Sequence, residues 1–267
     1  MTIQSSSLVC GSRKTPAFLF AFILVAAAAD AQEVRVMTSG AFMGAYLQLA
    51  PEFERATHSK AIVISGGSMG NDPNTIPNRL RRGEPADVVI LADSALDALV
   101  KDGRVVAGSQ VPLVRSIIGM AVRAGAPKPD ISTVDALKQT LLRARSIAYS
   151  GSASGVYLST ELFPRLGVAD QIRGKIKLSE AEPVGEVVAR GGAEIGFQQV
   201  SELLPVAGID YVGPLPAGAQ RVTVFSAGIV VGARAPETAR ALIAFLTSPA
   251  AAPVIRKNGL EPITAAR

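Results

Sequence analysis

Three short segments combine glycine with hydroxyl side chains: Thr38-Ser39-Gly40-Ala41, Ser65-Gly66-Gly67-Ser68-Met69-Gly70 and Ser150-Gly151-Ser152-Ala153-Ser154-Gly155. Each follows a short apolar run and leads toward a helical segment. Glycine lets backbone approach a guest closely, serine adds a hydroxyl, and a helix start leaves N–H groups unpaired and partly positive. The chemistry this points to is the holding of an anion. Taken singly, each loop is also what ordinary helix capping looks like. Taken together, at the carboxyl ends of strands in an open α/β sheet, they form a crevice suited to an oxyanion.

Other chemistries lack their residues. The chain has one histidine, His58, and one cysteine, Cys10, so the usual zinc and copper sites are excluded and no metal or other cofactor is expected. There is no G-x-S-x-G elbow, no glycine loop followed by the P-loop lysine and no H-E-x-x-H, which removes the hydrolase and nucleotide readings. The formal net charge of +5 favours anions, but basic residues are scattered and tryptophan is absent, so nucleic acid is not an expected partner. The one basic cluster, Arg79, Arg81 and Arg82, runs into Gly83 and reads as the solvated end of a helix rather than a binding patch.

These loops must be positioned by a scaffold, and periodicity describes it. Strands are expected at Glu33 to Thr38, Ala61 to Ser65, Ala86 to Leu91, Ile117 to Val122, Ser146 to Tyr149, Glu194 to Phe197 and Val222 to Val231. Helices are expected at Phe42 to Thr57, Ser94 to Lys101, Val134 to Ala144, Gly155 to Leu166, Val184 to Arg190 and Pro236 to Leu246. Alternating strands and helices mean an α/β fold with crossover connections, and the length suits two lobes. Val212 to Gly218 and Gly108 to Pro112 are the linker candidates.

Upstream, Arg13 and Lys14 precede an apolar run, Ala17 to Ala29, that ends in Ala29-Asp30-Ala31. That pattern is a secretory signal peptide cleaved after Ala31. The run is well short of the roughly 20 apolar residues that a membrane-crossing helix needs, so the mature chain is not expected to span a membrane. Cys10 lies ahead of the run and would be lost with it. Removing residues 1–31 takes away Arg13, Lys14 and Asp30, which lowers the net charge by one.

Three further pieces carry a family resemblance: Gly83-Glu84-Pro85-Ala86-Asp87-Val88-Val89-Ile90-Leu91-Ala92-Asp93, Ser154-Gly155-Val156-Tyr157, and Val254 to Leu260 with its Lys257-Asn258-Gly259 turn. From Glu33 to Ile263 the chain resembles the type II periplasmic solute-binding proteins, and within them the molybdate-binding proteins of ABC importers. The resemblance implies two lobes, each a mixed sheet flanked by helices, with two hinge crossings. It divides the chain into a first lobe of 32–112 and 225–267 and a second of 113–224. It also implies ligand-facing positions at Ser39, Gly40, Ala41, Ser68, Ser154, Val184 and Gln199, a periplasmic location and an importer permease as partner.

Departures from the molybdate pattern redirect the expected ligand. Ala41 stands where that pattern has serine, Gln199 where it has tyrosine, and Asn71-Asp72-Pro73-Asn74 lengthens the second loop. Adjacent glutamines both donate and accept, which suits a carboxylate better than a bare metal oxide. Arg115, near the expected crossing, is a guanidinium that could grip such a carboxylate or simply form a hinge salt bridge.

With its Ile195-Gly196-Phe197-Gln198-Gln199 run the chain also resembles aconitate isomerases built on the same scaffold. The expected function is capture of a small oxyanion or organic carboxylate for an ABC-type importer, with isomerisation of cis- and trans-aconitate as the alternative. An isomerase needs a base beside a double bond and donors for the dienolate. Glu182 is the candidate base, Tyr149 and Tyr157 flank the third loop, and His58 reads as a solvated surface histidine.

Overall fold

A computed structural model describes residues 1–2, 32–180 and 182–263; the expected signal peptide and its cleavage site lie outside the described residues. The first half runs β1 (Glu33–Thr38), α1 (Gly40–Thr57), β2 (Lys60–Ser65), α2 (Ile76–Arg81), β3 (Val88–Ala92), α3 (Asp93–Lys101), β4 (Val111–Ser116), β5 (Ile118–Arg123), α4 (Val134–Arg143) and β6 (Ile147–Ser150). It continues with α5 (Ala153–Tyr157), α6 (Phe163–Arg165), α7 (Ala169–Ile172), β7 (Ile176–Ser179), α8 (Val184–Ala189), β8 (Ile195–Gln199) and α9 (Val200–Leu203). Last come β9 (Ile209–Pro214), β10 (Thr223–Ile229), α10 (Pro236–Leu246), α11 (Ala252–Lys257) and β11 (Glu261–Pro262).

The strands form two mixed sheets, ordered β11-β4-β10-β3-β1-β2 and β7-β6-β8-β5-β9. β1 lies parallel to β2 and β3, while β10 runs antiparallel to β3 and β4. In the second sheet β6 is parallel to β7 and β8, and β5 is antiparallel to β8 and β9. Every residue of β3 is buried. Alternation explains it: Val88 and Ile90 enter one apolar cluster with α1, and Val89 and Leu91 enter another with α3. The second sheet is likewise covered on both faces, with Ile118, Met120 and Val122 packed against Leu137, Leu158 and Phe163, and Ala148 against Val184 and Val188.

Only Ile117 separates β4 in the first sheet from β5 in the second, so the single strand expected at Ile117 to Val122 is the second of two. The chain returns between Pro214 at the end of β9 and Thr223 at the start of β10. Both linker candidates therefore belong partly to strands: Val111 and Pro112 open β4, and Val212 to Pro214 close β9 against β5. Proline and glycine are tolerated there because β9 is an edge strand. As expected, the helix from Pro236 packs its Ala239, Leu242, Ile243 and Leu246 face on the first sheet.

Two glutamine amides tie the crossings together. Gln220 accepts from the Ile118 N–H and donates to the Ile118 carbonyl, both at 2.9 Å. Gln199, at the end of β8, accepts from Ser116 Oγ at 2.8 Å and donates to Thr223 Oγ1 at 3.4 Å, linking it to both first-sheet strands that adjoin the hinge.

Candidate functional site

The three glycine-serine loops meet. Ser39 and Gly40 at the start of α1, the turn after β2 and the turn after β6 line one cavity of about 330 Å³ between the two sheets. The loops touch across it, because the Ser68 N–H donates to Ser152 Oγ at 3.1 Å. Gly70, at φ +107°, approaches the Gly151 carbonyl so closely that a Cβ there would collide with it.

Hydroxyl chemistry in the cavity is incompletely used. Ser39 occupies the N-cap position of α1, yet its side chain caps nothing. Its Oγ is buried and has no protein partner. A buried unpaired hydroxyl is costly, and this one lies on the cavity wall with its bonding capacity unused. Ser68 Oγ accepts from the Ala92 N–H at 3.0 Å, which leaves its own hydrogen to donate. Ser154 is buried at the start of α5 with its Oγ 3.4 Å from Ser150 Oγ. Gly155 has no room for a side chain, since a Cβ would strike the Ser150 carbonyl. Ala41 and Gln199 also reach the cavity wall.

Two of the expected ligand-facing residues are placed elsewhere. Val184 is fully buried, does not line the cavity, and gives its N–H to Gln198 Oε1 at 2.9 Å. Arg115 lies on β4 outside the cavity, with Nη1 3.7 Å from Glu261 Oε1. Side chains alternate along a strand, and neighbouring Val114 takes the inward position.

Glu182 does reach the wall, but both carboxylate oxygens are held by Arg190, at 2.5 and 2.6 Å. That ion pair keeps its carboxyl below the ordinary glutamate range, which makes Glu182 a weak base. Tyr157 gives its hydroxyl to the Ala219 carbonyl at 2.9 Å, and Tyr149 sets its ring edge-on to Phe163. Neither lines the cavity. His58 is exposed at the end of α1 in the left-handed conformation, φ 55°.

Arg79, Glu180 and Glu202 are charged wall residues to which the sequence assigned no role at the ligand. Among the described residues Arg79 is the only cation lining the cavity, fixed by Glu84 at 2.7 Å and by the Asn74 carbonyl at 3.1 Å. The cluster does end a helix at Gly83, as expected, but its first arginine faces the cleft. Glu202 stands on α9, and its Oε1 accepts from Gln198 Nε2 at 2.8 Å and abuts Gly40 across the cleft. Burial pushes its carboxyl up to about 7, with the Gln198 amide opposing. The signal for it was present: an acid four residues after Gln198, where an apolar strand passes into a helix. Among the described residues no cluster of histidine, cysteine and carboxylates is placed to hold a metal, and no helix is long and apolar enough to cross a membrane.

Two mixed sheets joined by paired crossings, with hydroxyls and helix starts gathered between them, define a type II solute-binding protein. The sequence profile of the bacterial extracellular solute-binding proteins matches residues 34–261, and the chain belongs to that family. It is 51% identical to an aconitate isomerase of a Pseudomonas species over 93% of this chain and 95% of that protein. It is 26% identical to the molybdate-binding protein ModA of Azotobacter vinelandii, over 88% and 92% of the two chains. The sulfate-binding protein SubI of Mycobacterium tuberculosis shares the fold at a TM-score of 0.71 and 17% identity, over 87% of each chain.

Proposed function

We propose that the protein captures a small organic polycarboxylate in the cleft and isomerises it, with cis- and trans-aconitate as the substrate pair. The observation that carries this reading is the character of the cavity: neutral donors from both sheets face a space that also contains a carboxyl with no cationic partner, Glu202. At about 330 Å³ it falls at the small end of organic-ligand pockets, which run from about 300 to 1,000 Å³, and it exceeds what a five-atom tetrahedral oxyanion needs. The Pseudomonas relative supports the substrate, being the more similar of the two curated relatives by a wide margin.

Carboxylates of the guest would be received by Ser39, Ser68 and Ser154 and by the N–H groups at the start of α1. Arg79, paired with Glu84, is the one cation on the wall among the described residues. Closure brings donors from both sheets to the guest together and excludes water, strengthening each contact.

A second reading, capture without chemistry, is favoured by the family itself. In it the closed protein would hand an anionic solute to an ABC importer permease. Both readings place the protein in the periplasm, delivered by the signal peptide of residues 1–31.

Ultraviolet monitoring of each aconitate isomer with catalytic amounts of protein separates them, alongside calorimetric titration with molybdate, phosphate, citrate and both aconitates. Conversion to a common equilibrium mixture is the expected result. Tight molybdate binding without conversion would overturn the isomerase reading in favour of capture.

A further inference from the structure

Among the described residues, Glu202 is the one cavity carboxyl away from the rim with neither a cation nor a turn to occupy it. Glu182 is spent on Arg190, and Asp72 accepts from the Asn74 N–H at 2.6 Å in the lengthened second loop. Glu180 is exposed at the rim. Glu202 instead receives a single hydrogen bond, at Oε1 from the Gln198 amide, whose own oxygen is held by the Val184 N–H. That relay fixes one carboxyl oxygen and leaves Oε2 without a protein partner among the described residues. The carboxyl stands against Gly40 at the start of α1, beside the unpaired Ser39 hydroxyl, so a guest held by the first loop lies next to it.

Resting on the isomerase reading above, we propose that Glu202 is the catalytic residue that moves the proton in this cleft, with Gln198 as its positioning residue. In aconitate the methylene carbon lies beside the double bond. The Glu202 carboxylate takes one methylene proton: that C–H bond breaks, and its electron pair spreads over the allylic carbons and into the attached carboxylates. The protonated Glu202 then gives a proton to the former vinyl carbon, a new C–H bond forms, and the double bond is left between the other carbon pair with its geometry free to change. Atoms and charge balance without an oxidant, reductant or cofactor.

One group can serve in both steps only if its two protonation states are close in free energy at the working pH. Burial of Glu202 supplies that, pushing its carboxyl up to about 7. The charged groups facing it across the cavity are Arg79, Asp72, Glu180 and Glu182. Of these, Arg79 and Glu182 are neutralised by the ion partners Glu84 and Arg190.

The test compares the full-length protein with Glu202→Gln and Glu202→Asp, assayed for aconitate conversion and for deuterium uptake into aconitate in heavy water. Glu202→Gln is expected to bind aconitate within a few-fold of the parent in calorimetry. It is expected to lose roughly 100-fold or more in kcat, as removal of a general acid-base group does, and to lose deuterium uptake in step. The parent's pH profile should bend near 7, and the bend should vanish in the glutamine variant. Glu202→Asp, which keeps a carboxyl, should recover part of the rate. A Glu202→Gln protein that is folded and turns over within about threefold of the parent, with the bend intact, overturns the assignment alone. Absence of conversion and of deuterium uptake in the parent overturns the isomerase reading and this assignment with it.

Discussion

Ser39 carries bonding capacity that the fold does not use. Its hydroxyl is buried, caps no helix and meets no protein acceptor or donor. Ser39→Ala removes a group that the protein itself leaves unsatisfied, so the melting temperature should hold or rise slightly while anion affinity falls about tenfold, the worth of one hydrogen bond to a charged group. Calorimetric titration with aconitate and a thermal melt give both numbers. Ser154→Asp acts through charge instead, placing a carboxylate at the third loop, and should weaken anion binding further; unchanged affinity in the same titration would remove that loop from the site. Glu202 sets a pH dependence of stability. Its folded pKa of about 7 lies above the ordinary glutamate value of 4.5, so the folded state holds the proton more tightly than the unfolded chain. The stabilising contribution is complete below about 4.5 and is lost as pH rises through about 7. Melts between pH about 4 and about 8 should show Glu202→Gln gaining on the parent as pH rises, by roughly 2 to 4 °C for each kcal/mol.

At the scale of elements, the strands that point loops into the cleft are held by backbone contacts far from it. Asp87, just before β3, accepts from the N–H groups of Arg35 at 2.7 Å, Arg234 at 2.6 Å and Ala235 at 3.0 Å. One buried carboxylate thus joins β1 to the segment that follows β10. Asp87→Ala strands three donors and should cost about 3 kcal/mol or more in a urea unfolding series, without changing which ligand is bound. This residue sits in the Gly83 to Asp93 stretch that carried the family resemblance, and its part there is structural. The apolar run Val88–Ala92 announced a central strand because residues buried on both faces leave a nearly continuous signal. Of the four edge strands, β2 was legible and the other three did not announce themselves. β7 (Ile-Lys-Leu-Ser) is four residues with one buried, β11 is a Glu-Pro pair, and β9 is half-exposed throughout most of its length. Their pairing comes from the sheets they join rather than from local pattern.

The molecule as a whole works through the approach of its two sheets. Gly70 lies where the second loop passes the Gly151 carbonyl, in a backbone conformation that side chains avoid. Gly70→Ala should hold the mouth ajar, with small-angle scattering showing a more extended liganded state and stopped-flow showing faster ligand release; an unchanged release rate would mean that closure does not depend on this contact. The anion-binding loops, the α/β alternation and the central strands were written locally, in glycine, serine and apolar spacing, because those features act on their own few residues. What sits opposite what was not. Arg115 and Val184 were expected at the ligand, but strand alternation and a glutamine amide take them away from the cavity, while Arg79 and Glu202 arrive on two short helices, α2 and α9. Such placements depend on contacts between residues more than a hundred positions apart, as Gly40 and Glu202 are. The sequence by itself determined the glycine-serine loops at the strand ends and the α/β frame that carries them. Only the tertiary structure decided which carboxyl would stand among those loops, because a carboxyl becomes protonatable near neutral pH only when distant segments close around it and keep cations away.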